Sequence, residues 1–195
     1  MDIAIDFHGV AVNPEEITIR RAKERFGVIL KPEDCTTRRA VKHLPHYGEV
    51  VKAIEEGPDI FEYRVAPEVP EAFAHLKRPG NGLFIVSSID ERKSMKKGMQ
   101  LLADHEVIYV DWIPTADTPK HIVCQSLGID LLVDDDPFTV FDSLENGLDA
   151  LLFDRPCNRD IEVPQGKRMY SFHGVVRYVE GKNKGSVIHP TEKRL

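Results

Sequence analysis

Short apolar runs alternate with stretches of helical periodicity along most of this 195-residue chain. Each run is short enough to be a buried strand, and each helical stretch carries apolar side chains on one face. Strands that alternate with helices at this spacing predict an α/β fold whose parallel sheet is covered by helices on both faces. The predicted strands are Ile3–Ile5, Leu83–Val86, Val107–Val110, Leu131–Val133 and Ala150–Phe153. The helices predicted between the later strands are Pro67–Lys77, Glu91–Asp104, Lys120–Leu127 and Phe138–Asn146.

A block of about fifty residues interrupts this alternation, because it contains helical patterns and no convincing strand. Its first helix is predicted to open at Asn13 and Pro14, which are typical N-cap and N1 residues, and to end at Phe26. Two further helices are predicted over Thr37–Leu44 and Gly48–Glu56. The block therefore predicts a helical insertion between the first strand and the next strand–helix unit.

The chain is long enough, with 42% apolar residues, to bury one sizeable core. We expect that core to comprise residues 1–12 and 66–178, with residues 13–65 as the insertion. The polar, glycine-rich sequence after Arg177 predicts a loosely held C-terminal tail over residues 179–195.

Charge and cysteine content limit the partners of the chain. The net charge of −6 and the pI near 5.8 argue against a nucleic-acid surface, which would need a basic face. A small anionic substrate is still compatible, because a local cluster of lysine and metal can override the overall sign. No apolar run approaches a membrane span, and no signal-peptide pattern precedes Ile3. Cys35, Cys124 and Cys157 are widely spaced and odd in number, which predicts reduced thiols in a cytoplasmic protein.

Polar side chains follow the first two predicted strands at the carboxyl edge of the sheet, where open α/β sheets bind their ligands. Asp6 ends the first strand, and its carboxylate could attack phosphorus to form an aspartyl-phosphate. Gly9 allows the chain to turn sharply just after it. Ser87 and Ser88 follow the second strand, where a hydroxyl could donate a hydrogen bond to a phosphate oxygen.

Two further positions supply charge to the same edge. Lys120 at a helix start could neutralise a phosphate and the Asp6 carboxylate, and Asp135, supported by Asp134, could hold Mg²⁺. Taken separately, each of these residues is more often a turn, a cap or a solvated surface residue. Together at one edge of one sheet they predict a site for phosphoryl transfer, in which positioning and charge neutralisation supply most of the rate.

The order strand-Asp, strand-Ser, helix-Lys, strand-Asp-Asp resembles the four motifs of the haloacid dehalogenase-like (HAD) hydrolase superfamily. The motifs stand here as Asp6-Phe7-His8-Gly9-Val10, Ile85-Val86-Ser87, Lys120 and Leu131-Leu132-Val133-Asp134-Asp135. The resemblance runs from Ile3 to the region of Asn158 and implies a Rossmann-like α/β fold with a small helical cap inserted after the first strand. It also implies that the first and fourth strands are neighbours, which would bring Asp6 and Asp135 together over one Mg²⁺. The Asp-Asp-Asp-Pro fourth motif, the stretch Leu152–Asn158 and the insertion are most similar to the deoxyribonucleotidase-like branch.

One position departs from the family pattern. The resemblance implies a second Asp two residues after the nucleophile, where this chain has His8. The family's metal takes the backbone carbonyl of that residue, so a histidine can still serve as a ligand. The resemblance implies that the carboxylate, which this chain lacks, would protonate the leaving group and then activate water. Imidazole titrates near neutral pH and could do both, but it is bulkier and differently aimed.

The sequence therefore predicts a Mg²⁺-dependent phosphomonoesterase that acts on a small phosphorylated metabolite, with a nucleotide as one candidate. Because of His8, a catalytically impaired phosphate-binding or regulatory protein is the first alternative, and a phosphotransferase is the second. Other candidate residues rank lower. His43 and His46 are interpreted as exposed residues of the insertion, Trp112 as a pocket wall or a cover for the sheet, and Arg155 and Asn158 as site-lining or turn residues.

Overall fold

The structure, a computed structural model, describes residues 1–35, 48–49, 58–89 and 91–183. Within these residues six strands form one sheet in the order β3-β2-β1-β4-β5-β6, and all neighbouring strands are parallel. The first strand is central and pairs with the second and the fourth, as the resemblance implies. The strands are β1 (Asp2–Asp6), β2 (Gly82–Ser87), β3 (Asp111–Pro114), β4 (Leu131–Asp134), β5 (Asp149–Phe153) and β6 (Arg168–Met169).

Helices connect the strands, which confirms the predicted α/β architecture. They are α1 (Glu15–Phe26), α2 (Glu68–Leu76), α3 (Arg92–Asp104), α4 (Lys120–Ser126), α5 (Pro137–Glu145) and α6 (Phe172–Asn183). Short 3-10 helices lie at Pro32–Asp34, Pro58–Glu62 and Pro156–Asn158. Among the described residues, none of the helices has the length and apolar character needed to cross a membrane.

The central strands build two cores, because successive side chains of a strand point to opposite faces of the sheet. On one face Ile3, Ile5 and Val133 pack with residues of α1, α2, α3 and α6. On the other face Ala4 and Leu132 pack with Cys124 of α4 and Val140 of α5, two residues that are fully buried. With both faces buried, the strands are apolar along their middles, and the carboxylates of β1 and β4 stand at the strand ends.

The predicted third strand at Val107–Val110 is wrong, because β3 starts at Asp111. Val107 is buried, but its backbone N–H donates to the Leu102 carbonyl at the end of α3 instead of entering the sheet. The chain turns at Glu106, whose φ is 57°, and Val110 is about half exposed. The apolar run therefore closes the end of a helix, and the strand forms only where the chain reaches β2.

The C-terminal part is more ordered than the sequence predicted. The strand β6 and the helix α6 were not predicted, and α6 extends to Asn183, so the polar tail does not begin at residue 179. Val179 is 2% exposed, and Glu180 lies 2.8 Å from His75 of α2. The apolar side chains of α6 cover β5 and α2, whereas residues 184–195 lie outside the described part.

The described ends of the insertion lie against the core. Asn13 and Arg64 exchange backbone hydrogen bonds of 2.8 and 3.2 Å, so the chain leaves and re-enters the core at one place. Helix α1 starts one residue later than predicted, and the side chain of Asn13 accepts the Glu15 N–H at 2.9 Å. The predicted helices Thr37–Leu44 and Gly48–Glu56 fall outside the described residues, except for residues 48–49.

Candidate active site

Asp6 is the last residue of β1 and is 6% exposed. The chain turns directly after it: the Ala11 N–H donates to the Asp6 carbonyl at 3.1 Å, and the Val12 N–H donates to the Phe7 carbonyl at 2.9 Å. Gly9 in this turn has a φ of 79°, a conformation that L side chains rarely adopt. The turn stops the main chain from continuing past the sheet and leaves the Asp6 carboxylate at its carboxyl edge.

Two more carboxylates meet Asp6 at this edge. Asp134 ends β4, which pairs with β1, and Asp135 follows it. Carboxylate oxygens of all three residues lie within 4.8 Å of one another. The sequence places these carboxylates at strand ends, and the resemblance to the HAD hydrolases implies that the two strands are neighbours. Among the described residues this is the group whose geometry could hold a metal ion.

Lys120 joins the carboxylates from the first position of α4. Its ammonium donates hydrogen bonds of 2.6 Å to Asp6 and of 2.6 Å to Asp134. The Lys120 side chain is 12% exposed. Burial alone would lower its pKa, but the charges and hydrogen bonds of Asp134 and Asp6 raise the pKa well above its ordinary range. The lysine is therefore charged at every physiological pH.

The carboxylates carry more negative charge than Lys120 can offset. Burial raises the pKa of Asp6 to about 7, although Lys120 opposes the rise and Asp134 adds to it. Burial also raises the pKa of Asp135 well above its ordinary value, and the charges of Asp6 and Asp134 raise it further. Crowded, buried carboxylates of this kind fit a hard divalent cation such as Mg²⁺, which prefers oxygen ligands and would balance the excess charge.

His8 stands two residues after Asp6 and packs among aromatic rings. Its imidazole contacts the Phe7 ring at 4.9 Å and the Tyr63 ring at 5.4 Å between centroids, both in edge-to-face geometry. Tyr63 belongs to the segment by which the insertion returns to the core. The imidazole is therefore held between the core and the insertion, in an orientation that the aromatic rings help to fix.

Ser87 lies beside Asp6, because the register pairs Asp6 with Val86, one residue earlier. Its side chain is buried, and its Oγ accepts the Ile89 N–H at 3.2 Å. Its carbonyl accepts the Thr115 N–H at 2.8 Å, which ties the ends of β2 and β3 together. Ser88 is exposed at the same edge. The four predicted motifs thus converge at the carboxyl edge of the sheet.

The lower-ranked candidates have structural surroundings. Trp112 lies within β3 and packs on Phe7, with 4.6 Å between the ring centroids, so it covers the sheet. A Cβ at Gly98 of α3 would lie 2.7 Å from the Trp112 ring, which shows how closely the helix approaches. His43 and His46 lie outside the described residues.

Two residues after β5 behave differently from each other. The Arg155 guanidinium lies 3.3 Å from the Glu15 carboxylate of α1, and both side chains are 18% exposed. Asn158 is fully buried and bonds to the backbone of Asp135.

Cys35, Cys124 and Cys157 are free thiols, and burial raises the pKa of Cys35 to about 12.

Sequence reasoning missed several contacts of the site. Asp135 lies so close over Gly9 that a Cβ on the glycine would be 2.1 Å from the Asp135 Oδ2. Sequence reasoning also missed the buried contact between Asn158 and Asp135. It missed the hydrogen bond that Arg168 donates to Asn158 as well. The stretch Asp154–Asn158, which follows a strand, was a sequence signal for Asn158. Arg168 had none, because β6 is too short to form a pattern.

Comparisons with known proteins give the fold. The sequence matches no protein-family model and no curated protein. Among solved structures, a HAD family hydrolase from Deinococcus radiodurans with bound phosphate and sodium is similar at a TM-score of 0.60 and 15% identity, covering 94% of this chain and 96% of that one. A HAD-superfamily hydrolase, subfamily IA, from Geobacter sulfurreducens has a TM-score of 0.58 and 16% identity, with 91% and 98% covered. A β-phosphoglucomutase from a hyperthermophilic Pyrococcus has a TM-score of 0.56 and 17% identity, with 95% and 99% covered. The chain therefore has the fold of the HAD-superfamily hydrolases.

Proposed function

We propose that this protein is a Mg²⁺-dependent phosphomonoesterase that acts through an aspartyl-phosphate at Asp6. The observation that carries the proposal is the meeting of three carboxylates within 4.8 Å, two of them bonded to Lys120 at 2.6 Å. A structural ion-pair cluster would not need the third carboxylate, which raises the electrostatic cost of the group. The fold and the phosphate bound to the Deinococcus hydrolase support the same class of reaction.

Each side chain of the site has its own part in the reaction. Asp6 attacks phosphorus with one carboxylate oxygen, the bond from phosphorus to the ester oxygen breaks, and His8 gives the departing alcohol its proton. His8 then takes a proton from water, which attacks the aspartyl-phosphate and releases inorganic phosphate and free Asp6. Lys120 offsets negative charge beside the phosphate, and the hydroxyls of Ser87 and Ser88 donate to its oxygens.

Asp6, Asp134, Asp135 and the backbone carbonyl of His8 would hold the Mg²⁺. When bound, the ion would neutralise charge on the phosphate oxygens. The raised pKa values of Asp6 and Asp135 support this assignment, because they reflect a negative charge that a cation would stabilise.

We propose residues 13–65 as a cap that covers the site and sets the substrate, which would be a small phosphorylated metabolite. The Glu15–Arg155 ion pair and the Tyr63–His8 contact support this, because both join the insertion to the carboxyl edge of the sheet. A nucleotide is the candidate that follows from the resemblance to the deoxyribonucleotidase-like branch.

The replacement Asp6→Asn tests the mechanism, because an amide has nearly the same shape but cannot attack phosphorus. We expect hydrolysis of an aryl phosphate with Mg²⁺ to fall at least about a thousandfold, with an unchanged far-UV spectrum. Asp104→Asn, at the exposed end of α3, is the matched control and should keep wild-type turnover. Wild-type turnover in Asp6→Asn would exclude the covalent mechanism.

The two alternatives give different results in the same assay. A catalytically impaired binder, which the histidine at position 8 favours, would bind phosphate esters without releasing phosphate. A phosphotransferase would convert an added alcohol acceptor into a new phosphate ester. A screen over a panel of phosphorylated metabolites, with free phosphate and new esters both measured, separates the three.

A further inference from the structure

Asn158 occupies a fully buried position in the 3-10 helix that follows β5. Its Nδ2 donates to the Asp135 carbonyl at 2.8 Å and to the Phe153 carbonyl at 2.9 Å. Its Oδ1 accepts the Arg155 N–H at 3.1 Å and the Arg168 guanidinium at 2.9 Å. Every donor and acceptor site of the carboxamide is therefore used inside the protein.

These partners define one orientation of the carboxamide. Both groups facing Nδ2 are carbonyls, which only accept, and both groups facing Oδ1 are donors. An aspartate at this position would have the same shape, but one carboxylate oxygen would face two carbonyl oxygens. A buried acceptor that has no donor is unfavourable, so the contact with Asp135 would be lost and the main chain would shift.

The carboxamide joins two strands where their own pairing ends. Asp134 and Leu152 are the last residues that pair between β4 and β5. Asn158 connects the carbonyl after β4 to the carbonyl that ends β5. Arg168 stabilises the position of Asn158, because its guanidinium also donates to the Asn158 carbonyl at 2.9 Å and to the buried Asp154 carboxylate at 3.1 Å.

The main chain at Asp135 has little freedom on the opposite side. The Asp135 carboxylate occupies the space where a Cβ of Gly9 would be, at 2.1 Å from its Oδ2. The same carboxylate has to reach within 4.8 Å of those of Asp6 and Asp134. A small movement of the Asp135 backbone would therefore displace a carboxylate that the site requires.

We propose that Asn158 is a positioning residue for the divalent-cation site: through the Asp135 carbonyl it fixes the direction of the Asp135 carboxylate toward Asp6 and Asp134. This inference rests on the proposed metal site and adds a residue to it. Partners behind a metal ligand commonly change metal affinity by about ten- to a hundredfold when they are removed.

The test is Mn²⁺ binding to the full chain without substrate, measured by electron paramagnetic resonance as a stand-in for Mg²⁺. We expect Asn158→Asp to weaken Mn²⁺ binding at least about tenfold, and excess Mg²⁺ to restore kcat to within about threefold of wild type. Asn146→Asp is the matched control, since this exposed amide also donates to a carbonyl, that of Asp142 at 2.8 Å, but lies at the end of α5. It should bind Mn²⁺ like wild type.

A second variant covers the case in which Asn158→Asp does not fold. Arg168→Lys keeps a cation beside Asp154 but cannot keep all the bonds to Asn158, and we expect it to weaken Mn²⁺ binding about three- to fivefold. Unchanged Mn²⁺ affinity in either folded variant, even with a lowered melting temperature, would overturn the inference and leave the proposed function intact. Absence of Mn²⁺ binding in the wild type would instead overturn the proposed metal site and the inference with it.

Discussion

Lys120 is the side chain on which the electrostatics of the site depend. A buried ammonium is costly unless it is paired, and here Asp6 and Asp134 each accept a 2.6 Å hydrogen bond from it. The pairing holds two carboxylates in place before any substrate arrives. Since preorganised charge need not rearrange during a reaction, this arrangement suits stabilisation of the charge on a transferring phosphoryl group.

The His8 imidazole is the residue whose role can be tested most sharply. If it is the general acid, His8→Ala should slow hydrolysis of an alkyl phosphate at least about a hundredfold, because that leaving group needs a proton. An aryl phosphate needs little protonation, so its first step should stay fast. The aspartyl-phosphate should then accumulate, since water activation still needs a base, and rapid-quench kinetics should record a burst followed by slow turnover.

His8→Asp is the informative companion variant. It restores the carboxylate of the family pattern, and we expect it to keep or increase the wild-type rate on both substrates. Wild-type behaviour of His8→Ala on both substrates would mean that water supplies the proton. In that case the His8 ring would take no part in proton transfer, and its contacts with Phe7 and Tyr63 would be structural.

The turn after β1 is the element that makes room for Asp135. Gly9→Ala would place a methyl group 2.1 Å from the Asp135 Oδ2 and would strain a φ of 79°. We expect loss of measurable turnover and a lower melting temperature. Gly147→Ala is a matched control, because its φ is 81° and no atom lies within 4 Å of the added Cβ. It should cost only the backbone strain, about 1 kcal/mol, and keep full activity.

A Gly9→Ala variant with wild-type activity would show that the Asp135 carboxylate can move without loss of function. The comparison of the two glycines is direct because both sit in left-handed turns, so the backbone contribution to stability is nearly the same. Thermal unfolding and steady-state kinetics on the three proteins separate the clash from the strain.

The elements that the sequence predicted well are those whose signal is local. Asp6 and Asp135 could be placed at the site because each follows an apolar run, and parallel strands bring their carboxyl ends to one edge. The start of β3 could not be placed, since Val107 is buried by the end of α3 and its apolar character is the same as that of a strand. Asn158 was interpreted as a site-lining or turn residue, but its contact could not be predicted, because its partner Asp135 lies 23 positions away in the chain.

At the scale of the whole molecule, one ion pair joins α1 to the loop after β5. Glu15→Gln removes the charge that faces Arg155, and we expect it to change the ratio of kcat/KM between metabolite esters and an aryl phosphate by about threefold or more. The reason is that the pair lies where the proposed cap meets the core. Glu16→Gln is the control, because Glu16 is exposed and faces Arg64 at 3.6 Å. Equal ratios in both variants would make the pair purely structural.

The stability of the whole chain should depend on pH through the same carboxylates that form the site. Burial raises the pKa of Asp6 from 3.8 to about 7, and burial also raises the pKa values of Asp135 and Asp136. Between pH 3.8 and about pH 7 the folded chain binds more protons than the unfolded chain, because the pKa of Asp6 is higher in the folded chain. The free energy of unfolding therefore falls as the pH rises. Asp149 contributes in the opposite sense. Burial alone would raise its pKa, but hydrogen bonds from Lys167, Lys182 and Tyr178 lower it. Its stabilising contribution is therefore present above pH 3.8 and is lost as the pH falls below 3.8 through the lowered pKa.

Metal-free protein should therefore unfold at lower urea concentration at about pH 8 than at about pH 5.5. Mg²⁺ should reverse much of that difference, because it binds the ionised carboxylates of the folded chain and the site exists only in that state. Asp6→Asn removes one of the titrating groups, so its metal-free profile should be flatter than that of the wild type. Urea titrations with and without chelator on both proteins measure this directly. A wild-type protein that becomes more stable from pH 5.5 to pH 8 without metal would show that these carboxylates are ionised in the folded chain, and that Lys120 compensates them more completely than their burial indicates.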